Sequence, residues 1–106
     1  MTGGGAPTVP STSELVRMER AFGRESLVPL VRGFRDALSE AVVALEDGRS
    51  ADAHSLAGLA GTIGFAAASQ AWLAIDRDRS ADTAPAVRES RLALSAIDVW
   101  LAADPV

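Results

Sequence analysis

His54 is the only histidine in a chain of 106 residues that contains no cysteine. An imidazole can serve near neutral pH as nucleophile, as acid or base, or as metal ligand, because its two nitrogens change roles there. A single histidine without thiolates falls short of the donor set of a typical transition-metal site, so no bound metal is expected. No glycine-rich phosphate loop of the nucleotide-binding kind is present. Gly3, Gly4 and Gly5 lack the preceding strand such a loop needs, so the chain is not expected to bind ATP. The role to weigh for His54 is that of a nucleophile toward a group held on another protein, beside that of an ordinary surface residue.

The segment around it reads Asp52-Ala-His-Ser-Leu-Ala-Gly-Leu-Ala-Gly-Thr-Ile-Gly-Phe65. At about 100° per residue, Leu56, Leu59, Ala60 and Ile63 share one side of a helix and form its expected core face. His54 lies about 200° from Leu56 and is expected at the surface, midway along the helical stack. Its helical neighbours are Ser50, Ala51, Ala57, Gly58 and Gly61, all small. Two of them are glycines inside a helix, each less favourable than alanine by ~1 kcal/mol. An exposed imidazole in a clearing of small residues suits a group held on another protein. Two plainer readings stand beside this one: an ordinary surface histidine, and glycines that let two helices approach closely.

The elements that must position this segment follow from periodicity. Ser11 and Glu14 have capping-box spacing, and a short helix is expected over 12–22. A second helix, 25–46, carries Leu27, Leu30, Val31, Phe34, Leu38, Val42 and Leu45 in steps of three and four, with Pro29 in its first turn. Ser50 or Asp52 caps the third helix, which Gly64 ends after Ile63. A fourth, 66–78, turns Ala68, Ala71, Trp72 and Ile75 inward. A fifth begins after Thr83 with Pro85 in its first turn and runs to 102. Its stripe is Val87, the stem of Arg91, Leu94, Ile97 and Leu101, with Trp100 at the edge. Short connections make successive helices antiparallel. The expected fold is all-α: an up-down, antiparallel four-helix bundle over 12–103, with a short extra N-terminal helix closing one end and a disordered tail over 1–11.

The segment His54-Ser55-Leu56-Ala57-Gly58-Leu59-Ala60-Gly61-Thr62-Ile63-Gly64-Phe65 resembles the phosphorylation-site helix of histidine phosphotransfer (HPt) domains. It is most similar to the phosphotransfer domain of chemotaxis histidine kinases. In that family the phosphorylated histidine is followed by an apolar residue two positions on, a glycine four on and a glycine ten on, here Leu56, Gly58 and Gly64. The resemblance implies that His54 is the phosphoacceptor and that Leu56 and Gly64 are structural. It makes Ser50, Ala51, Ala57, Gly58 and Gly61 the face that meets a receiver domain. It also implies a carboxylate on the next helix that orients the histidine, and a gapless count places Asp76 there. The family's lysine three residues after the histidine is replaced by Ala57. Lysine is absent throughout, all ten basic residues being arginine. Arg49, Arg77 and Arg79 are the candidate substitutes.

The family implies a phosphocarrier rather than an enzyme. Its partners are receiver domains of a response regulator or hybrid histidine kinase, which supply the Mg2+, and the chain has no cofactor of its own. The alternative is an adaptor that binds a receiver or kinase without accepting phosphate, which Ala57 favours. The net charge of −4 and the lack of a basic patch argue against nucleic acid. No apolar run approaches the ~20 residues of a membrane span. The first ten residues lack a signal-peptide pattern, and a cytoplasmic protein is expected.

Overall fold

The computed structural model describes residues 11–103 as five α-helices, with no strand among them. They are α1 (Ser13–Phe22), α2 (Arg24–Glu46), α3 (Ala53–Ile63), α4 (Ala66–Arg77) and α5 (Ala84–Ala102). Apart from Ser11, the glycine- and proline-rich stretch expected to be a tail lies outside the described residues. Each helix falls within a residue or two of its expected bounds.

The long helices pair in opposite directions. Arg24 at the start of α2 reaches the carbonyls of Trp100 and Leu101 at the end of α5. Arg35 faces Asp98, and Glu46 at the end of α2 bonds Arg91. Residue numbers rise along α2 as they fall along α5. The same holds for α3 and α4, where Ser69 bonds Ala57 and Asp76 bonds His54. α3 packs chiefly on α4, α5 lies against both α2 and α4, and α1 lies on α2. One continuous core joins them, built on Leu15, Val31, Phe34, Leu38, Ile63, Trp72 and Ile97. Inside it Trp72 Nε1 donates to Ser90 Oγ at 2.9 Å.

Several helix ends differ from expectation. The Ser11–Glu14 capping box does not form: Thr12 is the N-cap without a side-chain bond, and Ser11 Oγ accepts from the Ser13 amide. Glu14 pairs instead with Arg17 and lies over Gly64. Pro29 is the sixth residue of α2, past its first turn, because the helix begins at Arg24. At α5 the orphan amide of Ala84 is taken by Asp82 Oδ1, and Thr83 contributes no side-chain cap.

Two faces are rotated from the hydrophobic pattern. On α3 the buried residues are Ala53, Leu56, Ala57, Ala60 and Ile63, while Leu59 is exposed. On α5 they are Ala86, Ser90, Ala93, Ala96, Ile97 and Trp100, with Val87, Leu94 and Leu101 half-buried beside them and Arg91 exposed. The reason is shared. Where helices approach most closely, small side chains occupy the seam and larger apolar ones flank it. Leu30 is likewise exposed although it belongs to the expected stripe of α2.

Candidate functional site

The start of α3 is fixed by its own cap. Asp52 accepts from the Ser55 amide at 3.2 Å and from Ser55 Oγ at 2.8 Å. Of the two residues expected to serve as cap, Asp52 does so. The Ser55 hydroxyl first, and then its amide, hold the Asp52 carboxyl below the usual carboxylate range. At the other end Gly64 adopts φ +100° and takes up the orphan carbonyls of Ala60 and Gly61. A Cβ there would also collide with Glu14 of α1, so Gly64 is required both by its backbone and by α1 lying across it.

His54 is the second residue of α3, with its side chain 83% exposed. Surface placement is as expected, but its position along the helices is not. It stands in the first turn of α3 and lines a concavity with Leu45 in the last turn of α2, rather than midway. Its Nδ1 lies 3.2 Å from Asp76 Oδ2 in the last turn of α4, and the Asp76 side chain is 37% exposed. An ionised carboxylate can only accept, so in a neutral ring this contact favours the tautomer with its proton on Nδ1. In that tautomer Nε2 carries the lone pair.

The ring borders a concavity of about 470 Å3, lined in part by Arg49, Ser50, Ala51, Ile75, Asp76 and Arg79. Ser50 and Ala51 therefore line the same concavity as His54. Arg49 and Arg79 share this surface, and Arg77 is not among its lining residues.

The small residues of α3 divide into two kinds. Gly58 is exposed, and a Cβ built on it would meet nothing within 4 Å. Gly61 faces α4, where a Cβ would come within 3.2 Å of Ser69 Oγ. Ala57 is 2% exposed, and its carbonyl accepts from Ser69 Oγ at 2.8 Å. Its place on the docking face is therefore corrected: Ala57 belongs to the α3–α4 seam, and Gly61 stands at the edge of that seam. Gly58 is exposed one helical turn after His54, and Ser50 and Ala51 line the concavity that His54 borders. Leu56 is buried, in line with a structural role.

The sequence did not single out Ser69, which supports α3 from α4 by bonding a helix carbonyl. A serine opposite a glycine across two adjoining helices was the available signal. Among the described residues no three His, Asp or Glu side chains gather as a metal-holding group. None of the helices is long and apolar enough to cross a membrane. No family model matches the chain, and neither a curated protein nor a solved structure matches it.

Proposed function

We propose that this protein is a histidine phosphotransfer carrier of a two-component relay, with His54 as the phosphoryl acceptor. The observation that carries the reading is the imidazole itself. Nδ1 is engaged by Asp76, the rest of the ring is open, and Gly58 leaves free space beside it. An anchored nitrogen on one side and a free one on the other make an oriented nucleophile. Open surroundings suit a substrate carried on a protein surface.

In this reading the five helices are a four-helix, up-down antiparallel bundle, α2 to α5, with α1 across one end. The antiparallel α2–α5 and α3–α4 pairs support it. The partner is the receiver domain of a response regulator or hybrid kinase, in the cytoplasm. It brings an aspartyl phosphate and its own Mg2+. Nε2 attacks phosphorus in line as the bond to the aspartate oxygen breaks, and the carboxylate leaves with the bonding electrons. The ring keeps its Nδ1 proton against Asp76. Positioning and charge compensation carry most of such a reaction. The chain itself is a carrier without a nucleotide site.

The test is incubation with phosphorylated receiver domains and detection of acid-labile, base-stable phosphate. Wild type is expected to take label. His54→Gln is expected to lose it while still binding the receiver, since an exposed substitution alters stability by no more than about 0.5 kcal/mol. A wild-type chain that binds phosphorylated receivers yet takes no label overturns the carrier reading in favour of a docking adaptor.

A further inference from the structure

A phosphoryl group on Nε2 would add a charge of about −1.5 to −2 near pH 7, by analogy with phosphorylated hydroxyls. The fixed charges already beside the ring are unfavourable to it. Asp76 touches the imidazole, and Asp52 lines the same concavity. Position 57 supplies no cation, since Ala57 is buried against α4.

Two cations do face this place. Arg49 comes from the α2–α3 connection and Arg79 from the α4–α5 connection, and both line the concavity that His54 and Asp76 border. Arg79 is exposed and makes no ion pair among the described residues. Arg49 holds Asp47 at 3.2 Å in a pair open to solvent on both sides. Such pairs are weak and exchange partners readily. A guanidinium offers several donors in a fixed plane and matches phosphoryl oxygens well.

Building on the carrier reading, we propose that Arg79, with Arg49 across the groove, binds the phosphoryl oxygens on His54 and so supplies the cation that α3 lacks. The compensating charge then comes from the two connections flanking the site. It approaches the phosphoryl from the side of the concavity and leaves the Gly58 side clear for the partner.

The proposal can be tested without any receiver. Phosphoramidate transfers its phosphoryl group to an exposed imidazole: the new P–N bond forms at Nε2 and ammonia leaves. The phosphohistidine of the full chain is then titrated by phosphorus NMR and its decay followed. A nearby cation favours the dianion, so Arg79→Ala is expected to raise the phosphoryl midpoint by about half a pH unit. It should also shorten the phosphohistidine lifetime by about two- to fivefold, the range an exposed ion pair supplies. Arg79→Lys should restore most of the shift, and Arg49→Ala should give a smaller shift in the same direction. Arg77→Ala, outside the concavity, should give none. Both arginines lie on exposed connections, so circular dichroism should be unchanged.

Identical midpoints and lifetimes in wild type and the Arg49→Ala/Arg79→Ala double variant overturn the proposal. Chemical loading separates the two claims. Failure of receivers to label wild type overturns the carrier reading alone. Unchanged titration overturns the arginine pair alone. Failure of phosphoramidate to load His54 overturns both.

Discussion

His54 and Asp76 are 22 residues apart in the chain, yet their side chains meet at 3.2 Å across the α3–α4 seam. Removing the carboxylate by Asp76→Ala frees the ring to rotate and to place its proton on either nitrogen. We expect phosphoryl acceptance from a receiver to slow by roughly tenfold, the lower range for loss of an orienting partner. Receiver affinity and melting temperature should hardly change. Equal acceptance rates in wild type and Asp76→Ala would show that the contact does not orient the ring.

Gly58 and Gly61 should respond oppositely to added bulk. Gly58→Leu enters open space on a helix, so stability should rise by up to ~1 kcal/mol from helix propensity. Transfer from a receiver should nonetheless slow, because the side chain projects beside the imidazole. Gly61→Ala gains the same propensity, but its methyl presses on Ser69 Oγ and disturbs the bond to the Ala57 carbonyl. Its net stability change should be near zero or unfavourable. Urea unfolding and transfer kinetics measured on both variants decide the matter. A Gly58→Leu protein that transfers at the wild-type rate excludes that side as a docking surface.

The cap of α3 should be visible in acid. Asp52 is held below its ordinary range by the Ser55 hydroxyl and amide. A carboxyl with a depressed folded-state pKa contributes stability above its unfolded pKa of about 4 and loses it as the pH falls through the lower folded value. Asp52→Ala should therefore be less stable than wild type at pH 7. The gap should close progressively below about pH 4. A constant difference from pH 7 to pH 2 would mean that the ionised cap is not its source.

The buried bond from Trp72 to Ser90 makes a stability prediction free of any functional reading. Ser90→Ala leaves the indole N–H in the core without its acceptor. The expected loss is about 1–3 kcal/mol, seen as a lower urea midpoint with an unchanged slope. A loss well under 0.5 kcal/mol would mean that water or another acceptor reaches the indole.

Helix order and bounds were legible because their signals are local: Asp52 before α3, Gly64 after it, and Pro85 at the start of α5. The orientation of the faces was less so. Hydrophobic spacing weights leucine and valine, whereas the tightest seams are made by Ala57, Gly61 and Ser69 on one side and by Ala86, Ser90 and Ala93 on the other. Those residues look neutral in a sequence, and their role depends on how near the neighbouring helix comes. For the same reason Ala57 read as surface and Leu59 as core, and the structure reverses both. The site pair was found only through the spacing of a resembling family. Periodicity alone left Asp76 an ordinary helix-end carboxylate, and Arg79 entered only as one of three candidate cations, with Arg49 and Arg77.

Glu14 lying over Gly64 gives the molecule two unlike ends. The end of α3, the start of α2 and the end of α5 gather with α1. The imidazole stands some ten residues up α3, roughly 15 Å away at 1.5 Å per residue. Ser11 and Ala103, the first and last described residues, thus lie toward the far side from His54. An affinity handle, a fluorophore or a surface tether placed at Ser11 or Ala103 therefore stands apart from His54 in interaction measurements.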